Sequence, residues 1–154
     1  EQAVRELVPE HYIVRVSWLF GGPRNFVRTV LRLAAGRPAD GLRMVVDEVG
    51  SPTYAADVAA ALPALIASEQ FGTYHFVNEG ICSRFEFAQT ILQLAGIDLP
   101  VAPIRAAEFR RASTPPPFAP LANLAGAAIG IRLPAWPDAL ERYLQQLRAD
   151  GVLQ

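Results

Sequence analysis

The sequence predicts an α/β fold, a few-stranded sheet with flanking helices, and three observations carry that expectation. A mostly apolar, β-branched and aromatic run from Tyr12 to Phe20 breaks at Gly21-Gly22-Pro23, as a strand buried on both faces of a parallel sheet does. Further strand-like runs at Leu42–Val46 and Thr73–Val77 alternate with helical periodicity, which argues for crossover connections. Helix boundary signals also fall at the changes of period, notably Ser83-Arg84-Phe85-Glu86 and Gly96.

Taken in order, Val4, Leu7 and Val8 show helical spacing within residues 1–8, and Pro9 closes that segment. The strand from Tyr12 follows, interrupted by Arg15 and Ser17. Ligands of open α/β sheets sit beyond the carboxyl ends of the strands, so Ser17, Trp18 and the loop 21–25 are the first place to look for chemistry. Trp18 reads equally as a core residue, because most strand aromatics pack rather than bind. Asn25 is placed to cap a helix over 26–35, with Phe26, Val27, Val30, Leu31 and Ala34 on one face. After the strand at 42–46, Thr53 stands where a cap belongs, ahead of an alanine-rich helix over 54–67. A third strand covers 73–77. The capping box at Ser83 then opens a helix that Gly96 stops, and Val101–Ile104 reads as a short strand. From Arg105 to Pro120 the prolines exclude regular ladder and favour an extended surface path. A weak helical patch at 121–129 and a clearer helix over 135–147 complete the chain.

Composition narrows the chemistry. The 154 residues carry 14 basic and 15 acidic side chains, a formal net charge of -1, so no positive field favours nucleic acid or an anionic membrane. No apolar run approaches bilayer length and the first residues lack a signal-peptide layout, which makes a cytoplasmic protein the expectation. All 14 basic residues are arginine, which excludes a Gly-Lys-Ser/Thr phosphate loop, a Schiff-base lysine and a Tyr-x-x-x-Lys pair within these residues. One cysteine, Cys82, and two separated histidines, His11 and His75, argue against a disulfide framework and a transition-metal site.

Candidate groups each have a structural reading beside the chemical one. Asp47, Glu48 and Asp57 form an acidic set that reads better as a solvated turn and a first-turn residue than as a metal or acid/base site. Thr53 and the amides after it suit an anion or a simple cap. Arg105, Arg110 and Arg111 suit a bidentate clamp on a diphosphate, or solvated surface charge. Ser17 with His11 or His75 fails as a triad because the Gly-x-Ser-x-Gly elbow is absent. Cys82 reads as a buried structural thiol.

Six blocks in order, Arg15-Val16-Ser17-Trp18-Leu19-Phe20-Gly21, Asn25-Phe26, Asp47 through Asp57, Gly72-Thr73-Tyr74-His75, Asn78-Glu79-Gly80 and Ser83 through Ala88, resemble the dTDP-4-dehydrorhamnose reductases. These are extended short-chain dehydrogenase/reductases, with an NADPH-binding Rossmann half first and a substrate-binding half last. The resemblance implies the C-terminal substrate-binding portion, with residues 1–20 as the end of the Rossmann half and 21–154 as the substrate-binding part. It implies a start just after the helix that carries the family's Tyr-x-x-x-Lys, and hence no catalytic residue within this chain. The absent Gly-x-Gly-x-x-Gly fingerprint and the absent lysine agree.

Carried over by position, Trp18 matches the family tryptophan that packs on the deoxysugar. Val16 and Ser17 match the stretch beside the nicotinamide of NADPH or NADH. Asn25, Gly50–Thr53 and Asn78 resemble loops that shape the substrate cleft, to which the arginine reading adds Arg110 and Arg111. The implied partners are a dTDP-sugar and the Rossmann half, with a homodimer compatible, and neither nucleic acid nor membrane. The chain departs from the family near its end, where Ala119 and Ala122 stand in place of an expected serine and aspartate. Two rivals follow: a reductase or epimerase acting on another nucleotide-sugar, against which Trp18 argues, and a non-catalytic regulatory or assembly subunit of the same fold.

Overall fold

The computed structural model describes residues 1–109 and 115–153. Its elements are α1 (Gln2–Leu7), β1 (Tyr12–Arg15), β2 (Leu19–Phe20), α2 (Phe26–Ala35), β3 (Leu42–Val45), β4 (Val49–Gly50), β5 (Thr53–Tyr54), α3 (Ala55–Ala67), β6 (Gly72–His75), β7 (Cys82–Ser83), α4 (Arg84–Ala95), β8 (Val101–Ile104), a 3-10 turn (Ala106–Glu108), β9 (Phe118–Ala119), α5 (Leu124–Ala128) and α6 (Trp136–Ala149). Among the described residues no helix is long and apolar enough to cross a membrane.

Among the described residues the strands form four small sheets. Strand β1 runs parallel to β6, with Tyr12 opposite Gly72 and Arg15 opposite His75. Likewise β2 is parallel to β5, and β3 to β8. Strand β4 is antiparallel to β7 and parallel to β9. Parallel pairs need crossovers, and α2 to α4 supply them, as the alternating pattern anticipates.

The single strand expected over Tyr12–Phe20 is two. Arg15 ends β1 and Trp18 takes a positive φ of 40°, a backbone value that redirects the chain before β2. The proline-rich stretch also forms ladder where none was expected. Proline loses its N–H but keeps its carbonyl, and the Val49 N–H donates to the Pro117 carbonyl at 2.9 Å, which aligns β9 with β4.

Local signals set the helix ends. Asn25 caps α2 by accepting from the Arg28 N–H at 3.1 Å. Ser83 and Glu86 form the full capping box on α4, and Gly96 closes that helix at φ 72°. Thr53 is no cap: it lies in β5, its hydroxyl donates to the Ser51 carbonyl at 3.1 Å, and Tyr54 occupies the cap position of α3. The main core packs α2, α4 and α6 together through Val27, Val30, Phe87, Ile91, Leu140 and Leu144, with Phe20 from β2 among them. A second cluster, Leu65, Tyr74, Phe76 and Leu133, joins α3 to β6.

Candidate substrate cleft

The site grows from the break between β1 and β2. Val16 is exposed at the carboxyl end of β1, Ser17 is buried, and Trp18 is half-buried. Ser17 Oγ donates to the Ala119 carbonyl at 2.9 Å and accepts from the Ser51 N–H at 3.4 Å. Ser51 Oγ exchanges hydrogen bonds with the backbone of Leu121, at 3.3 Å to its carbonyl and 3.2 Å from its N–H. Two serines thus tie the strap over 118–121 beside Trp18. Both use the strap's backbone, so the alanine at 119 does not loosen it.

Trp18 is held on several sides. Its carbonyl accepts from the Thr53 N–H at 3.3 Å, and its ring is stacked on Phe87 with centroids 6.5 Å apart. A Cβ added at Gly50 would meet its ring at 2.3 Å, so only glycine lets β4 pass this close. The Arg84 guanidinium carbon stands 3.6 Å from the centre of the Trp18 ring and 4.9 Å from that of Phe26. Next to Phe26 opens a cavity of about 460 Å³, lined by Phe26, Val30, Leu33, Met44, Phe109 and the charged Arg43, Glu48 and Arg84. Its aromatic and aliphatic walls, with Thr29, Arg43, Glu48 and Arg84 among them, combine apolar surface with polar groups as small-molecule clefts do.

Asn25 and Thr53 lie at this site with their polar atoms already engaged. Asn25 Nδ2 donates to the Gly22 carbonyl at 2.6 Å and to the Tyr143 hydroxyl at 2.9 Å, besides the helix cap. Thr53 has no exposed surface. Asn78 is 1% exposed: its Oδ1 accepts from the Tyr54 N–H at 2.7 Å, and its Nδ2 donates to Asp57 Oδ2 at 2.7 Å and to the Pro134 carbonyl at 3.0 Å. Arg110 and Arg111 lie outside the described residues.

Of the acidic set, Asp47 and Asp57 have structural tasks, while Glu48 is buried in the cavity lining. Asp47 accepts from the Ala106 N–H at 2.8 Å. Asp57 receives both arms of Arg142 at 2.7 and 2.8 Å. Burial pushes the Asp57 carboxyl up, but the hydrogen bonds from Arg142 and Asn78 outweigh it and hold the group below its ordinary value. Among the described residues no cluster of His, Cys, Asp and Glu could hold a metal ion.

Sequence reasoning overlooked two arginines. Arg84 read only as a residue inside a capping box, and Arg142 was not singled out within the last helix. Neither carries a local signal, because both act on partners far along the chain.

Residues 1–149 match the family model of the RmlD substrate binding domain. The chain belongs to this family. It is 37% identical over 147 residues to the spore coat polysaccharide biosynthesis protein SpsK of Bacillus subtilis, covering 95% of this chain and 51% of that protein. It is equally 37% identical over 149 residues to the dTDP-4-dehydrorhamnose reductase of Mycobacterium tuberculosis, covering 94% of this chain and 48% of that one. Among solved structures, the dTDP-4-dehydrorhamnose reductase of Bacillus anthracis in complex with NADP superimposes with a TM-score of 0.86 at 37% identity, over 94% of this chain and 51% of that one. The chain spans about half the length of the relatives it matches. The RmlD-type domain here is therefore an α/β substrate-binding portion of an extended short-chain dehydrogenase/reductase, as the six sequence blocks anticipate.

Proposed function

We propose that this domain binds the nucleotide-sugar in an NADPH-dependent reductase that converts dTDP-4-dehydro-L-rhamnose to dTDP-L-rhamnose, with residues 1–20 completing the Rossmann half and 21–154 forming the substrate part. One observation carries the reading: Trp18 stands at the carboxyl end of a parallel strand with Arg84 over its ring, and Arg84 and Phe26 line a cavity of about 460 Å³ whose apolar walls also carry Thr29, Arg43 and Glu48. The sugar packs its apolar edge and methyl group against the part of Trp18 left accessible beside the Arg84 guanidinium, which stands 3.6 Å from the ring centre, and the base and its ribose enter the cavity next to Phe26. Thr53 and Asn25 contribute by position rather than contact, the first fixing the Trp18 carbonyl and the second the start of α2.

The exposed Val16 just past β1 suits a flat cofactor ring lying along it, with the neighbouring Ser17 hydrogen-bonded to the strap. NADPH, when bound, supplies hydride to the sugar carbonyl. The residues here orient the sugar and keep water from its Trp18 face. The strap is anchored through the backbone of Ala119 and Leu121, so its position does not depend on the side chains at 119 and 122. A biosynthetic reductase of this kind works in the cytoplasm.

The test is NADPH oxidation with dTDP-4-dehydro-L-rhamnose. This chain alone is expected to give none, and the full reductase carrying Trp18→Ala is expected to lose at least about tenfold in kcat/KM, since about 1.4 kcal/mol is one decade and a packed aromatic contributes more. Turnover by the chain alone would overturn the inactive-fragment reading. A well-folded Trp18→Ala enzyme with normal turnover would overturn the assignment of Trp18.

A further inference from the structure

We infer that Asn78 is the positioning residue of Trp18, acting on it through β5; the consequence for ligand binding rests on the nucleotide-sugar reading above. Trp18 holds a φ of 40°, a value that a bulky side chain keeps only where its surroundings impose it. Its carbonyl accepts from the Thr53 N–H at 3.3 Å, so its backbone follows the position of β5. Successive N–H groups of a strand point to opposite edges, and that of Tyr54 points away from β2. Among the described residues no strand pairs with that second edge. The Asn78 side chain takes the strand's place there, its Oδ1 accepting from the Tyr54 N–H at 2.7 Å.

The amide is locked in the one orientation that can do this. Its Nδ2 donates to Asp57 Oδ2 at 2.7 Å and to the Pro134 carbonyl at 3.0 Å, so turning it over would set its oxygen against two oxygens and its NH2 against the Tyr54 N–H. Asp57 is held in turn by both arms of Arg142 from α6, at 2.7 and 2.8 Å. Asn78 is almost wholly buried, and solvent does not compete for these bonds. Tyr54 is fixed at its far end as well, where its hydroxyl donates to Gln146 Oε1 at 2.7 Å. A continuous chain of contacts thus runs from α6 through Arg142, Asp57 and Asn78 to β5, and from β5 to Trp18. Asn78 is not among the residues lining the cavity beside Phe26, so its influence on a ligand there passes through Trp18.

The experiment follows the indole N–H resonance of Trp18, assigned with Trp18→Phe, and titrates dTDP-L-rhamnose by calorimetry, for the natural sequence and Asn78→Ala, with thermal melts to confirm folding. Asn78→Ala is expected to move the Trp18 resonance and to weaken binding at least about fivefold, and to leave binding unaffected once Trp18 is alanine. Leu65→Ala, in the second cluster further along α3, is the control: it should lower the melting temperature and change neither the resonance nor the affinity. If Asn78→Ala does not fold, Asn78→Ser carries the test, because it keeps a hydroxyl in the site but is too short to hold the Tyr54 N–H. A folded Asn78 variant whose Trp18 resonance stays in place would overturn the inference, as would an equal displacement in Leu65→Ala. A loss of affinity of the same size in the Trp18→Ala background would overturn it too, since Asn78 would then act by another route. If the natural sequence binds no dTDP-L-rhamnose while Asn78→Ala still moves the resonance, the nucleotide-sugar reading fails and the positioning role stands.

Discussion

Gly50 and Trp18 are packed so closely that a Cβ on Gly50 would lie 2.3 Å from the indole. Real side chains never approach to that distance, so Gly50→Ala must displace either the ring or strand β4. The expected cost is about 1–3 kcal/mol, as for other overpacked sites. A thermal melt measures it, and the tryptophan emission should shift as the ring leaves its place. An alanine variant with unchanged melting temperature and emission would show that β4 yields freely and that Trp18 is not held from this side.

Asp57 and Arg142 give the domain a pH dependence of defined sign. The carboxyl titrates below its ordinary value in the folded chain, so its contribution is present above the ordinary carboxyl range and is lost as pH falls through the folded value. Arg142→Met should remove about 1–2 kcal/mol near neutral pH, less than for a fully buried pair because the Arg142 side chain is 43% exposed, since it leaves the buried Asp57 without its cation. Denaturant melts between neutral and acid pH should show the variant with a flatter acid limb. Equal slopes in the two proteins would mean that the pair does not govern acid stability.

The capping box should show coupling between its two side chains. Ser83 accepts from the Glu86 N–H at 3.1 Å, and Glu86 accepts from the Ser83 N–H at 2.7 Å and from its hydroxyl at 2.9 Å. Ser83→Ala is expected to cost about 1 kcal/mol, as lost N-caps do. Glu86→Ala in the Ser83→Ala background should cost less than it does alone, since the hydroxyl contact has already gone. Strict additivity in denaturant melts would contradict the reciprocal geometry.

Cys82 is buried in β7, and burial, the main cause, with Glu86 nearby, pushes its thiol up to about 12. The thiolate is the reactive form, so alkylation by iodoacetamide at pH 8 should be negligible in the folded protein and rapid in denaturant. Rapid labelling of the folded protein would place Cys82 at the surface.

The features legible in the sequence were those fixed by neighbours in the chain. The Asn25 cap, the Ser83–Glu86 box and the Gly96 stop involve residues within about one turn of each other, and helix α2 and strand β8 fall where periodicity put them. Thr53 misled because a threonine before a helix has the composition of a cap, whereas pairing with β2 drew it into a strand and buried it. The split at Trp18 was hidden for a related reason: an apolar run does not reveal a positive φ at a residue whose neighbours, Gly50, Thr53 and Arg84, are all distant in sequence. Trp18 was marked by its position at a strand end and by resemblance, but the guanidinium on its ring comes from a residue distant in sequence. No local pattern encodes that meeting.

The most direct test of this domain as a dTDP-sugar binder is a calorimetric titration with dTDP-L-rhamnose, set against UDP-glucose and GDP-mannose, for the natural sequence and for Trp18→Ala. Saturable binding of dTDP-L-rhamnose, weaker or absent for the other two sugars and weakened at least about tenfold in a folded Trp18→Ala variant, is the predicted result. Absence of dTDP-L-rhamnose binding, or equal binding of all three that is insensitive to Trp18, would contradict it.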